Sequence, residues 1–570
     1  MLSFVFIYPP SADPTTAPLT LARIKGAVEH CLHGKMRAVF LDENRRFVKY
    51  VIDVVLSGEL ERWGKDALEA PLPREFKAHL LDVLKTIDEL PKNLLKALAI
   101  LKVPDLFLNI NKYVFAYQAI AKTFELYSLP YYPALIGYAT ARLAFDIRRS
   151  DEIANALSSA MFNPYLNYFQ ERVEQIGQAD VFGISVVYSS QLFPALTLAK
   201  LIKKTNREAL VLFGGPCASS LRTVLEGKFG DFVDMVVPGD AESLLGHLAS
   251  VRGSFREKRK LVEGIISFKR APKNTWFASP TSPVDYSWAS IDEYFLPEPV
   301  FCLDITRGCY YGKCAFCAYG SKERKYSKMR ASEILGKIKE LKKRFGVSRF
   351  FFTVDVVDPS LLEDLSEQLI STKIDITYCL DARLEEKFAD PAFANKLFEG
   401  GCRAISFGME SACQQTLDIM NKATNSMIFS SILQNLYEHQ IHVQVHLIHG
   451  FPGESINGIA QTIRFLQENE EKITTAGTSS FALLKGSMVE QDPAKYGIAS
   501  ISSPGDMALD YEYHVKLDKQ YPSYESFKTM VFELFPAVGR LTGSTTDYLI
   551  YASRYTPRQM KHMLRSAVGA

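Results

Sequence analysis

Two stretches of the chain alternate short apolar runs with amphipathic segments of helix length. The first opens with "SFVFIYPP", a strand-like run, followed by "LTLARIKGAVEHCLHG" at helical spacing and a second run, "RAVFLDEN". That order predicts a βαβ start and a parallel sheet. From about residue 46 to about 175 the period is helical, as in "REFKAHLLDVLKTIDEL" and "KNLLKALAILK", which predicts a long helical insertion. The alternation resumes with "ADVFGISVVYSS", the helix "PALTLAKLIKKT", and the strands "ALVLFGGP" and "FVDMVVPGDAE". Residues 1–255 are thus expected to form one open α/β domain interrupted by helices. The second stretch carries "FCLDITRG", "SRFFFTVDV", "KIDITYCLDAR", "CRAISFGMES", "IHVQVHLIHGFPG" and "TTAGTSSFALL", separated by amphipathic segments such as "ASEILGKIKELKKRFG". At least six β/α units in a row predict a full or partial (β/α) barrel over residues 297–490. A proline-containing connector, 256–296, joins the two stretches, and a mixed C-terminal region covers 491–570.

Composition adds limits. A chain of 570 residues exceeds one core, and 47% apolar with 23% charged residues is ordinary globular usage. A net charge of +2 gives no reason to expect nucleic acid or an anionic membrane as partner. The start, "MLSFVFIYPP", lacks a basic n-region, and no apolar run reaches a spanning length, so the cytoplasm is the expected compartment. Nine cysteines without a secretion signal point to thiols kept reduced.

Three of them fall within "RGCYYGKCAFCAYG": Cys309, Cys314 and Cys317, spaced C-x4-C-x2-C after the first predicted barrel strand. Clustered thiolates select zinc or an iron–sulfur cluster. A structural zinc site wants four ligands, and Cys302 is the available fourth. Three thiolates instead leave one iron of a four-iron cluster open to a substrate or cofactor. Spacing alone leaves both readings standing.

The position of the triplet, Phe316 between its last two cysteines, and the glycine-bearing later strands resemble the radical S-adenosylmethionine superfamily. The family's usual spacing is C-x3-C-x2-C, and this chain carries one residue more in the first gap. The resemblance implies that Cys309, Cys314 and Cys317 hold a 4Fe-4S cluster whose open iron binds S-adenosylmethionine. An external electron donor would reduce the cluster, and cleavage of the cofactor would yield a 5′-deoxyadenosyl radical. It also implies cofactor contacts at strand ends: Thr353 and Asp355, Arg383, Glu410 and Ser411, and the turn bearing Gly450 and Gly453, with Phe316 beside the cluster. The residues also allow plainer roles, with Glu410 capping the next helix and Arg383 paired to Asp381 or Glu385. His442, His446 and His449 lie on one strand, either as packing residues or as proton carriers facing the lumen.

The first domain, in this order before the barrel, resembles the cobalamin-binding domain of the same superfamily, a doubly wound Rossmann-like fold. The resemblance implies that Ser185, Gln191, Gly214, Gly215, Pro216, Gly239, Asp240 and Glu242 line the corrinoid and its tail. No histidine has an aspartate two residues before it, so the D-x-H-x-x-G signature that supplies a cobalt ligand is absent. Together these readings imply a cobalamin-dependent methyltransferase acting on an unactivated carbon of a small-molecule or peptide substrate. Cyclisation, ring contraction or oxidation with the same cofactors is the first alternative, and a zinc-stabilised scaffold the second. A methylthiotransferase would need three further cysteines in the first domain, where only Cys31 and Cys217 precede residue 300.

Overall fold

The structure is a computed structural model. It describes all residues except 33, 86, 319–324, 516–519, 536–544 and 567–570. The chain forms two compact units. One comprises Met1–Ala278 with Ser282–Pro297 and Gly505–Leu509, and the other Ser279–Thr281, Glu298–Pro504 and Asp510–Ala570.

The first unit is built on a parallel sheet of β1 (Ser3–Tyr8), β2 (Arg37–Asp42), β3 (Val181–Ser185), β4 (Leu210–Gly214) and β5 (Met235–Val236), in the order β2-β1-β3-β4-β5. This 2-1-3-4-5 order is a doubly wound fold whose ligands sit beyond the carboxyl ends of the strands. Helices α1 (Leu19–Leu32), α2 (Leu192–Thr205) and α3 (Ala241–Ser250) cover the sheet. Leu21, Ile24 and Val28 of α1 and Leu244, Leu245 and Leu248 of α3 are buried together with Phe4 and Phe6. That spacing of three and four residues is one face of a helix. Helices from Glu43–Leu56 to Leu166–Ile176 occupy the predicted insertion, together with a two-residue strand pair at Leu135–Ile136 and Ala141–Arg142. The segment read as a connector contains a helix, Lys258–Arg270, whose Leu261, Ile265 and Phe268 belong to the core of this unit. Its apolar spacing is helical, but the neighbouring prolines dominate the sequence pattern.

The second unit holds six parallel strands in sequential order: β6 (Val300–Asp304), β7 (Arg349–Thr353), β8 (Thr377–Ala382), β9 (Cys402–Glu410), β10 (His442–His449) and β11 (Thr475–Ser480). The sheet runs from β6 at one edge to β11 at the other, a partial barrel. Helices α4 (Ala331–Phe345), α5 (Pro359–Thr372), α6 (Pro391–Glu399), α7 (Phe429–Glu438) and α8 (Ile456–Glu468) connect successive strands. Sequential right-handed crossovers put all of them on one face, so the opposite face is the inner one. On β9, Phe407 points outward and meets Phe388 edge-on at 5.2 Å, which leaves Ser406 and Gly408 inward by alternation. The chain after β11 adds the antiparallel strands Leu483–Leu484, Ile498–Ser502 and Asp510–Val515, the last two in the C-terminal region. It also adds the helix Thr545–Ala552, whose Tyr548 packs against His442. No described helix is long and apolar enough to cross a membrane.

Candidate functional site

The cysteine loop leaves the carboxyl end of β6, where chemistry in β/α barrels is placed. Its entry is fixed by the buried ion pair of Arg307 and Asp304, at 2.6 Å, and by Thr306 Oγ1 donating to Val356 O at 2.9 Å. Gly308 N donates to Asp355 Oδ2 at 2.6 Å, so this carboxylate holds the loop. All three thiols are partly exposed. Gly312 N lies 3.3 Å from Cys309 Sγ, and Cys317 N donates to Cys314 O at 3.1 Å.

A second segment clamps the loop. Ala315 N donates to Met420 O at 2.8 Å, and Asn421 Nδ2 to Lys313 O at 2.6 Å. Tyr311 donates its hydroxyl to Asn421 O. Lys422 follows, buried, with Nζ 2.8 Å from Glu410 Oε1 and 5.7 Å from the centre of the Phe316 ring. Glu410 lies at φ +64°, beyond a register shift between Gly408 and Glu410. Such a bulge re-aims a side chain at a sheet end. Glu410 therefore meets a lysine rather than a helix N-terminus.

Arg383, at the end of β8, stacks over Tyr311 with 4.1 Å to the ring centre. It donates to Lys422 O at 2.6 Å, pairs with Glu385 at 3.3 Å and brings Nη1 to 3.8 Å from Cys314 Sγ. Burial pushes the Cys314 thiol up, while the nearby Lys422 and Arg383 charges pull it back down. Cations beside a cysteine favour the ligating thiolate. Thus Phe316, Asp355, Arg383 and Glu410 gather around the cysteine loop. Thr353 ends β7 in register with Asp304. Ser411 does not join them: its hydroxyl is buried 3.0 Å from Thr462 Oγ1 and accepts from Cys413 N, which starts the next helix. Gly450 N donates to Glu454 Oε2 at 3.0 Å, and Gly450 and Gly453 form the turn after β10. Lys422 was missed because its neighbourhood, "IMNKATNS", carries no periodicity or motif.

Of the three histidines, His442 is buried and donates Nε2–H to Tyr555 O at 2.8 Å. Burial lowers its pKa to about 4. His449 is buried among Tyr521, Tyr524 and Phe527, and burial lowers it too. His446 alone is exposed, with Nε2 2.8 Å from Ser406 Oγ.

Three thiolates on one loop suit a four-iron cluster, in which each thiolate takes a different iron. Among the described residues no three His, Cys, Asp or Glu side chains converge on a point where a single metal ion would sit.

The first unit carries a slot at the carboxyl ends of β3, β4 and β5, closed by α1 and α3. Apolar walls come from Phe6, Ile24, Leu212, Val237 and Leu244. Ser185, Gly214, Gly215, Pro216, Gly239, Asp240 and Glu242 all line it. Ser185 Oγ is buried and has no hydrogen-bond partner among the described residues. A Cβ on Gly214 would meet nothing within 4 Å, so the missing side chain leaves room in the slot. Asp240 and Glu242 are held by Arg23 at 3.3 and 2.6 Å. Gln191 is placed elsewhere. Its Nε2 donates to Pro9 O at 2.8 Å and its Oε1 accepts from Val187 N and Tyr188 N, so the side chain fastens loops. An orphaned hydroxyl, an open glycine edge and apolar walls fit a bulky ring system bearing a polar tail, as cobalamin does.

The fold and the loop define a class: a doubly wound domain followed by a parallel β/α partial barrel that carries three cysteines after its first strand. Residues 303–466 match the model of the Radical SAM superfamily, and the chain carries a radical SAM domain. It is 24% identical over 306 residues to an uncharacterized methyltransferase of Pyrococcus horikoshii, covering 51% of this chain and 64% of that protein. It is 22% identical over 352 residues to the anaerobic magnesium-protoporphyrin IX monomethyl ester cyclase of Rubrivivax gelatinosus, covering 59% and 61%. The match thus spans less than two thirds of either relative. Among solved structures, the radical S-adenosylmethionine methyltransferase TsrM from Kitasatospora setae, with cobalamin and a [4Fe-4S] cluster bound, superposes with a TM-score of 0.53. The identity there is 12%, and the match covers 100% of this chain and 99% of that one, so the fold is shared along the whole length.

Proposed function

We propose that the protein is a cobalamin-dependent radical S-adenosylmethionine enzyme that transfers a methyl group to a carbon of an organic substrate. The observation that carries this reading is the pairing, in one chain, of the three-cysteine loop with the slot at the carboxyl ends of a 2-1-3-4-5 sheet. The cluster supplies an electron that cleaves S-adenosylmethionine, and cobalamin supplies a carrier for the methyl group. Cys309, Cys314 and Cys317 would hold the cluster, and Arg383 and Lys422 place two cations at its edge. Ser185, Gly214, Gly215 and Gly239 would line the corrinoid tail. The turn at Gly450–Gly453 and the strand-end carboxylates Asp355 and Glu410 border the place of S-adenosylmethionine.

The test is the full chain reconstituted with iron, sulfide and cobalamin under reductant, then given S-adenosylmethionine labelled in its methyl group. Magnesium-protoporphyrin IX monomethyl ester serves as the probe substrate. Retention of cobalamin and about four irons per chain through gel filtration is expected, with S-adenosylhomocysteine and labelled product accumulating. A second reading, ring formation without methyl transfer, draws on the similarity to the Rubrivivax gelatinosus cyclase. It predicts 5′-deoxyadenosine with no S-adenosylhomocysteine and no label in the product. Iron replaced by one zinc per chain would sink both.

A further inference from the structure

The first gap between the clustered cysteines carries Tyr310 and Tyr311, and it is the gap that is one residue longer than the family's usual spacing. Both tyrosines reach one ion pair just beyond the end of β8. The Tyr311 ring lies under the Arg383 guanidinium, with 4.1 Å to the ring centre, and its hydroxyl donates to Asn421 O at 2.5 Å. The Tyr310 hydroxyl donates to Glu385, the same carboxylate that Arg383 Nε meets at 3.3 Å. Arg383 Nη2 donates to Lys422 O at 2.6 Å, and Nη1 donates to Cys314 Sγ across 3.8 Å. Each nitrogen of the guanidinium thus has a protein partner, and one of those partners is a sulfur of the cysteine triplet.

We propose that Arg383 sets the reduction potential of the cluster through the Cys314 sulfur, raising it above the value that the three thiolates alone would give. This rests on the reading that Cys309, Cys314 and Cys317 hold a four-iron cluster. Reduction adds one electron to the cluster, taken from an external one-electron donor, and breaks no bond. A cluster held by three thiolates is already anionic when oxidised, so reduction makes it more negative still. A positive charge and an N–H directed at a ligand sulfur stabilise that more negative state, and hydrogen bonds to the sulfurs are one of the levers on such potentials. A guanidinium suits the task because it keeps its charge and stacks on an aromatic face. The stack on Tyr311 and the bond to Lys422 O hold it in place, so the longer gap serves to grip the arginine.

The neighbouring charges differ in how far they are balanced. Lys422 Nζ lies 2.8 Å from Glu410 Oε1 and reaches the loop at the Phe316 ring, 5.7 Å away. Its charge is therefore offset close by. Glu385 offsets Arg383 less. It meets the guanidinium at Nε, while Nη1 meets the sulfur, and its side chain is 30% exposed against 8% for Arg383. Water screens the carboxylate more than the guanidinium. Loss of one charge-assisted hydrogen bond that strengthens on reduction should change the ratio of reduced to oxidised cluster about tenfold at a fixed potential. For a one-electron couple that is a shift of about 59 mV.

The test is a potentiometric titration of the full chain reconstituted with iron and sulfide, followed by electron paramagnetic resonance of the reduced cluster. It is run without S-adenosylmethionine, so a change in binding of that cofactor cannot cause the shift. Arg383→Met is expected to keep about four irons per chain and to lower the potential by about 59 mV. Glu385→Gln removes the opposing carboxylate and should move the potential the other way. A residue that merely braced the loop would move both variants in the same direction or move neither. An unchanged or higher potential in iron-loaded Arg383→Met overturns the proposal. If that variant takes up no iron, Glu385→Gln decides, and an unchanged or lower potential there overturns it. A parent chain that holds zinc and no iron would instead overturn the cluster reading itself, before any potential is read, and this inference with it.

Discussion

Gly214 and Gly215 are adjacent, yet the slot reading requires opposite outcomes when each receives a side chain. Gly214 ends β4 within the conformations open to other residues, and its missing Cβ looks into open space. The Cβ of Gly214→Leu would enter open space, and the rest of the side chain would extend into the slot. Replacing glycine in extended backbone removes unfolded-state freedom, so stability should stay level or rise by up to about 1 kcal/mol. Gly215 sits at φ 98°, ψ 163°, and its Cβ would lie 2.5 Å from Val186 O. That conformation costs a non-glycine residue about 1–3 kcal/mol, and relief of the clash adds about 1–3 kcal/mol. Gly215→Ala should therefore lose about 2–6 kcal/mol, a fall in melting temperature on the order of 5–15 °C. The assay is thermal unfolding of both variants by circular dichroism, with cobalamin retention read from the visible spectrum after gel filtration. Gly214→Leu is expected to melt with the parent and retain no cobalamin. Retention at the parent level would show that the corrinoid does not use the slot, and an unchanged melting temperature in Gly215→Ala would refute the steric argument.

Alanine at Cys309, Cys314 or Cys317 should abolish bound iron and sulfide, whereas Cys302→Ala on β6 should keep both, as iron and acid-labile sulfide assays would show. Lys422→Met strands the buried Glu410 carboxylate and should cost about 3–5 kcal/mol; adding Glu410→Gln should recover much of it in thermal unfolding. His442 is neutral in the folded protein, with its pKa lowered from 6.5 to about 4 by burial. The unfolded chain takes up that proton first as pH falls. Stability should therefore drop by about 3 kcal/mol between pH 6.5 and 4, a drop that His442→Gln should abolish in denaturant titrations.

The periodic parts of the architecture were legible because each strand or helix announces itself locally. The runs around "FCLDI" and "SRFFFTV" became neighbouring strands β6 and β7, and the amphipathic "ASEILGKIKELKKRF" became α4. The cysteine spacing marked the loop, and glycines after strands marked the slot. Side chains with two plausible local uses were less legible. Gln191 stands where a ligand contact was expected, but its amide satisfies three backbone groups, a demand set by loop geometry that spacing does not show. Ser411 follows a strand end as a cofactor contact would, yet it turns into the start of the next helix.

The least legible feature of the barrel is the one that organises its cysteine loop. A three-thiolate loop has no regular secondary structure of its own to fix it, and its backbone polar groups must find partners elsewhere. Two of those partners come from residues 420–421, about a hundred positions further on, through Met420 O and the Asn421 amide. The same short segment receives Arg383 through the Lys422 carbonyl and Glu410 through its ammonium group. One stretch without periodicity thus ties together the ends of β8 and β9 and the cysteine loop. Each contact alone is a single hydrogen bond or ion pair. Shared by one segment, they fix the loop, the guanidinium beside Cys314 and the carboxylate of Glu410 as a set, so a change at Lys422 should disturb iron loading even though no lysine ligates iron.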